Sequence, residues 1–335
     1  MKKALLQQAE KDGQVRCLTC AHHCLIQPGQ RGICGVRENR DGVLFSLVYG
    51  KAIAMHVDPI EKKPLFHFYP GTRSFSLATV GCNMHCANCQ NAEISQMPRN
   101  GGPIQGQTVP PMSVVDAAIK HRSRTIAYTY TEPAVFWDYV YDTSVLAHEK
   151  GLKNIAVTNG YFSDLSLERL APYLDAANVD LKSFRDKTYK RVCGARLEPV
   201  LETIRRMKAL GIWLEVTTLL IPGLNDSDDE LQEIAAFLCD VDPGIPWHVS
   251  RFHPTFNMTD RPATPLASIQ KACRIGNEAG LRYVYSGNVP GEERESTFCH
   301  ACGARLIHRW GFEVASKRIV EGKCPECGAA IDGVW

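Results

Sequence analysis

Eleven of the chain's 14 cysteines fall into three tight groups, and no other feature constrains the fold as much. The first group is Cys17-x2-Cys20-x3-Cys24-x9-Cys34. The second is Cys82-x3-Cys86-x2-Cys89, and the third is a pair of C-x2-C knuckles, Cys299/Cys302 and Cys324/Cys327, separated by 21 residues. Thiols at such short spacings ligate metals or clusters where cysteine stays reduced; a disulfide scaffold is a small secreted chain with roughly 8 to 10% cysteine. Here 14 of 335 residues are cysteine. No apolar run nears the roughly 18 residues of a membrane span, and the start, Met1-Lys2-Lys3-Ala4-Leu5-Leu6-Gln7, has only three apolar residues before polarity returns. The chain therefore reads as soluble and cytoplasmic, with no membrane association.

Punctuation divides the chain into three regions: 1–72 as a small metal- or cluster-binding module, 73–288 as the main domain, and 289–335 as a zinc-ribbon-like module. The first carries turn-rich stretches at 27–32 and 41–42, then an alternating strand-like run at 43–49. The middle region alternates short β-rich runs at 75–80, 125–130, 154–158, 177–182, 213–220 and 247–252 with amphipathic stretches at 112–122, 134–150, 164–173, 198–210, 229–240 and 265–279. A further strand is suggested at 282–286. Such alternation is the pattern of βα units on a parallel sheet, and six of them give an open, partial (β/α)6 barrel.

The segment Gly81-Cys82-Asn83-Met84-His85-Cys86-Ala87-Asn88-Cys89 follows the first barrel strand. Three thiolates can hold three irons of a [4Fe-4S] cluster and leave the fourth open to a small molecule. The alternative is a three-cysteine zinc site completed by His85.

This segment resembles the cluster motif of radical SAM enzymes. The phrases Asp58-Pro59-Ile60-Glu61-Lys62-Lys63-Pro64-Leu65, Tyr128-Thr129-Tyr130-Thr131-Glu132-Pro133 and Val157-Thr158-Asn159-Gly160-Tyr161 are similar to pyruvate formate-lyase activating enzyme-like proteins, specifically the radical SAM member of the AmmeMemoRadiSam system. The resemblance implies that Cys82, Cys86 and Cys89 bind the cluster and that S-adenosylmethionine chelates its open iron. Reductive cleavage would then yield a 5′-deoxyadenosyl radical that abstracts hydrogen from a substrate. That chemistry needs a dry, positioned cavity more than acid or base groups.

The same resemblance places SAM contacts on Thr131 and Glu132, on Thr158 and Asn159, on Asp180 and Lys182, and on His248. Each has a plainer reading. Glu132 before Pro133 complements a helix dipole, Asn159-Gly160 is turn chemistry, Asp180 and Lys182 form an ion pair, and His248 is a core histidine. The Pro222-Gly223 turn is a candidate wall for adenine. Asn88 stands where the family commonly has an aromatic residue, so adenine stacking must come from elsewhere.

The four thiols of Cys17 to Cys34 suit either zinc or an auxiliary [4Fe-4S] cluster, because both accept four cysteines. The knuckles Cys299/Cys302/Cys324/Cys327 resemble a Zn2+ ribbon with short strands at 312–314 and 318–320. With 38 Lys+Arg against 36 Asp+Glu the formal charge is +2, and no dense basic stripe invites nucleic acid. The charged residues of 58–69 read as a solvated loop.

The sequence thus points to a radical SAM oxidoreductase, glycyl-radical-activase-like, that activates or modifies a protein with electrons from a flavodoxin- or ferredoxin-type donor. Radical modification of a small molecule with AMMECR- and Memo-family partners is the second enzyme reading. A zinc-binding interaction protein is the non-enzyme reading.

Overall fold

A computed structural model describes residues 1–289 and 291–335. Its centre is an eight-stranded sheet, and the strands follow one another in sequence order across it. We number them β1 (Ala54–Pro59), β2 (Arg73–Ala78), β3 (Thr125–Tyr128), β4 (Lys153–Thr158), β5 (Ala176–Asp180), β6 (Trp213–Leu220), β7 (Trp247–Arg251) and β8 (Val284–Gly287). From β2 to β8 every pairing is parallel, whereas β1 runs antiparallel to β2. The sheet does not close on itself, which makes it a partial barrel.

The strand sequences explain the layer. Thr-Ile-Ala-Tyr in β3 and Ala-Ala-Asn-Val in β5 are buried at every position, as strands covered on both faces must be. Among the described residues six helices of seven or more residues connect them: α1 (Pro111–Lys120), α2 (Trp137–Glu149), α3 (Asp164–Leu170), α4 (Glu198–Ala209), α5 (Asp228–Val241) and α6 (Leu266–Glu278). Their starts are written locally. Ser163 and Ser166 form a reciprocal capping box on α3, and Ser227 caps α5 ahead of Asp228, Asp229 and Glu230. Trp137 and Trp247 are buried in the core, and a Cβ at Gly276 of α6 would sit 2.9 Å from the Trp247 ring, so helix and strand pack at glycine distance.

Two expectations change in detail. The seventh suggested strand is present as β8, and an eighth, β1, lies before residue 73. The 58–69 segment is no solvated face: Glu61, Lys63 and His67 are buried. Lys63 bonds Asp58 at 2.7 Å, while the His67 ring bonds the Asp332 carbonyl at 2.6 Å and the Tyr285 hydroxyl at 2.5 Å.

The N-terminal region forms two small antiparallel sheets that dock on the barrel through buried charge. Arg37 donates from Nη2 to Asp138 at 2.8 Å, with both side chains essentially out of solvent, and the Leu5 amide donates to the other Asp138 oxygen at 2.7 Å. At the far end, the strands Thr297–Phe298, Arg305–Trp310 and Glu313–Lys317 build a three-stranded antiparallel ribbon. Its second and third strands are Arg305–Trp310 and Glu313–Lys317 rather than 312–314 and 318–320; a turn at Gly311 with positive φ sets that register.

Candidate active site and metal centres

Strand C-terminal ends are where an α/β barrel presents chemistry. Past the end of β2, the chain reaches Gly81 at φ +100°, where a Cβ would lie 2.6 Å from Val36 and 3.1 Å from the Cys34 carbonyl. Only glycine fits this approach, and it delivers Cys82 into the mouth of the sheet. The loop that follows is clamped from the other side. The His85 and Ala87 amides donate to the carbonyls of Cys193 and Val192 at 2.9 and 3.0 Å. Those acceptors sit in a π-helical turn, Tyr189–Cys193, closed by Gly194 at φ +67°, whose missing Cβ makes room for the His85 ring.

One group of candidate residues converges on Cys82. Glu132 is buried, and its carboxylate accepts from the Ala134 amide at 3.1 Å, the Thr158 hydroxyl at 2.8 Å and the Asn159 amide at 2.8 Å. Asn159 then donates through Nδ2 to Asn83 Oδ1 at 2.8 Å and lies 3.8 Å from the Cys82 sulfur. Burial raises the Glu132 carboxyl to about 7, against the pull of those three donors. Burial and the neighbouring Glu132 raise the Cys82 thiol as well. Thr131 bonds the Thr79 carbonyl at 2.8 Å and ties the ends of β2 and β3 together.

A second group surrounds Cys86. Asp180 ends β5 and pairs with Lys182 at 2.8 Å. The Lys182 amide donates to the Tyr189 hydroxyl at 3.0 Å, and its carbonyl accepts from Asn225 at 2.8 Å, so the turn after β6 is stitched to it. Burial works against the Lys182 ammonium, but Asp180 and Cys86 raise its pKa on balance. A hydrogen bond from Cys193, against burial, lowers Cys86 to about 7.

His248 joins neither group. Its Nε2 bonds Glu215 Oε2 at 2.7 Å, and its ring packs edge-on against Phe66 at 4.7 Å. The same Glu215 accepts from the Phe66 and His67 amides at 2.9 and 2.8 Å. These contacts place His248 with the 60–69 segment. Conversely, Asn83 and Cys193 were not among the expected SAM contacts. Asn83 was legible only as a member of the cysteine motif, and Cys193 only as a cysteine beside a turn glycine.

The thiols also differ in spacing. In the ribbon, Cys299 and Cys327 sulfurs lie 3.7 Å apart, as do those of Cys302 and Cys324, and all four fall within 4.8 Å of one another. Among the described residues this is the one set of three or more metal-binding side chains that converges so closely. The sulfurs of Cys82, Cys86 and Cys89 do not, and His85 is exposed rather than turned in as a fourth ligand. A wide thiol triad on one loop fits a cluster and disfavours a single zinc ion.

A partial parallel barrel with this loop past its first parallel strand defines an iron–sulfur enzyme architecture. Residues 76–238 match the family described as the radical SAM superfamily. The chain belongs to that superfamily, whose members use a [4Fe-4S] cluster and SAM. It is 46% identical over 335 residues to the uncharacterized protein MJ0808 of Methanocaldococcus jannaschii, covering 99% of each chain. The indoleacetate decarboxylase activating enzyme of Tractidigestivibacter scatoligenes is 24% identical over 123 residues, 36% of this chain and 39% of that one, so most of that enzyme has no counterpart in the match. Among solved structures, Streptococcus suis SuiB superposes with a TM-score of 0.50 at 14% identity over 68% of this chain and 52% of that one, a likeness of fold alone. No helix among the described residues is long and apolar enough to cross a membrane.

Proposed function

We propose that this protein cleaves SAM reductively at a cluster held by Cys82, Cys86 and Cys89 and uses the product to abstract hydrogen from a protein, in the manner of an activating enzyme. The observation that carries this reading is the chain of contacts Glu132–Thr158–Asn159–Asn83, which fastens the ends of β3 and β4 to the loop bearing Cys82. When bound, the cluster and SAM supply one-electron cleavage of a sulfonium and a carbon-centred radical. The chain supplies the rest. Glu132 accepts three hydrogen bonds and retains one lone-pair site of the roughly four on a carboxylate, suited to an ammonium group. Thr158 and Asn159 are held in one arrangement by it, and Asp180 with Lys182 offers both charge signs beside Cys86. Adenine has the turn at Pro222-Gly223 available to it, pinned to Lys182 through Asn225. Activation of a protein rather than a small molecule is supported by the activating-enzyme match, and the electron donor would be of flavodoxin or ferredoxin type.

The ribbon quartet would hold one Zn2+. A tetrahedral ion with sulfur bonds of about 2.3 Å sets its sulfurs about 3.8 Å apart, close to the 3.7 Å seen here. The test of the catalytic reading is anaerobic reconstitution with iron and sulfide, then SAM and dithionite, with 5′-deoxyadenosine measured by chromatography. Accumulation in the wild type and none in Cys86→Ala is the expected result. Equal, negligible product from both, with the cluster shown to be loaded, overturns it.

A further inference from the structure

The first cysteine group takes no part in that reading, and its surroundings differ from those of the ribbon. Cys17, Cys20, Cys24 and Cys34 line one cavity together with Arg37 and Asn83. Cys17, Cys20 and Cys34 are buried, and Cys24 is half-buried. Separate pieces of backbone pin them. Cys17 ends the strand Val15–Cys17, Cys20 bridges to Phe162 beside α3, and the Cys34 carbonyl lies against Gly81.

Sulfur spacing decides what such a quartet can hold. One tetrahedral ion draws four sulfurs to about 3.8 Å from one another, and the ribbon meets that demand. The first group does not: among the described residues no three of its sulfurs converge as the ribbon quartet does. In this it matches Cys82, Cys86 and Cys89 of the same chain. A cubane binds each cysteine sulfur to a different iron, so its ligands stand apart around a hollow, whereas a two-iron cluster puts two sulfurs on each iron in close pairs.

Charge fits too. Four thiolates leave such a cluster anionic, and a buried anion needs donors around it. Arg37 commits Nη2 to Asp138 and Nε to the Val135 carbonyl, which leaves Nη1 buried with no partner among the described residues. The Thr19 hydroxyl lies 3.0 Å from the Cys17 sulfur, a further polar neighbour of the quartet. The cavity also shares a wall with the catalytic loop. His22 Nε2 bonds the Asn83 carbonyl at 2.8 Å, one residue from Cys82.

We infer that Cys17, Cys20, Cys24 and Cys34 hold a second [4Fe-4S] cluster, with all four irons ligated by the protein. The inference rests on the iron–sulfur character of the family but not on SAM cleavage. The test uses the full chain carrying Cys82→Ala, Cys86→Ala and Cys89→Ala, reconstituted anaerobically with iron and sulfide and read by metal analysis, Mössbauer and EPR. Four irons and four sulfides per chain, with a reduced signal that SAM does not shift, are expected. Zinc in place of iron, two irons with two sulfides, or a SAM-responsive signal overturns it. Should the triple variant fail to fold, the wild type decides the matter by its iron content: about eight irons per chain are expected, and about four overturn the second site. A loaded triple variant beside a wild type that makes no 5′-deoxyadenosine would separate this inference from the catalytic one.

Discussion

Asn159 Nδ2 donates to Asn83 Oδ1 at 2.8 Å, and this bond joins the residue just past β4 to the residue just past Cys82. Asn159 also caps its own turn, accepting from the Tyr161 amide at 3.1 Å. The side chain therefore links a strand end to the loop that bears Cys82. Glu132 stands behind it, holding the Asn159 amide, so three segments far apart in sequence share one polar knot.

Replacing Asn159 with Ala removes the link and leaves Asn83 with an unmade acceptor in a buried site. Such a loss is worth about 1 to 3 kcal/mol, or roughly 5- to 150-fold in rate if it acts on positioning. We expect Asn159→Ala to keep its iron while 5′-deoxyadenosine formation falls within that range. Iron loss in step with activity would show that the bond holds the loop rather than orients the site.

The turn at Gly194 offers a sharper geometric test. A Cβ there would lie 1.8 Å from the His85 ring on a backbone at φ +67°, so Gly194→Ala must displace that ring and strain the loop that carries it. Gly211 has a similar φ of +76° with open space around it. Both substitutions carry backbone strain of about 1 to 2 kcal/mol, but only Gly194→Ala adds the collision. Reduced cluster content in Gly194→Ala, normal content in Gly211→Ala, and recovery in the double variant His85→Ala/Gly194→Ala are the expected pattern, read by iron analysis.

The legibility of this protein follows from which information is local. Strands β3 to β7 were readable because strands buried on both faces are near-continuous apolar or β-branched runs, and the cysteine spacings are purely sequential. Strand β1 was not, since it forms by antiparallel pairing with β2, and its charged Asp58 is buried only because Lys63, Ser76 and Tyr130 reach it from elsewhere. His248 sits in a readable strand, but its partners Glu215 and Phe66 lie 33 and 182 residues away, and no local pattern announces them. The group at Cys17 to Cys34 stayed open for the same reason: spacing names candidate ligands, whereas their placement depends on distant residues such as Phe162 and Gly81.

Docking of the N-terminal region depends on the Arg37–Asp138 pair, whose side chains are 1% and 0% exposed. Removing one partner strands the other charge, which costs about 3 to 5 kcal/mol, while removing both is far milder. Asp138→Ala should therefore lower the melting temperature sharply, and Arg37→Met/Asp138→Ala should recover much of the loss. A double variant as unstable as the single one would mean that the Leu5 contact, not the charge, is what matters.

His67 makes stability at the barrel–ribbon seam depend on pH. Burial is the chief cause that lowers its pKa from an ordinary value near 6.5 to about 4. Between those values the unfolded chain binds a proton that the folded one refuses, so stability rises with pH across this window and is lost as pH falls through it. From pH 7 to pH 5 the group should contribute about 2 kcal/mol of destabilisation. The His67→Gln variant lacks that titration and keeps a hydrogen-bonding side chain between Asp332 and Tyr285. Denaturant melts at pH 7 and pH 5 should show the wild type losing about 2 kcal/mol more than the variant. Parallel losses in the two proteins would mean that His67 does not titrate in this window and that acid sensitivity has another source.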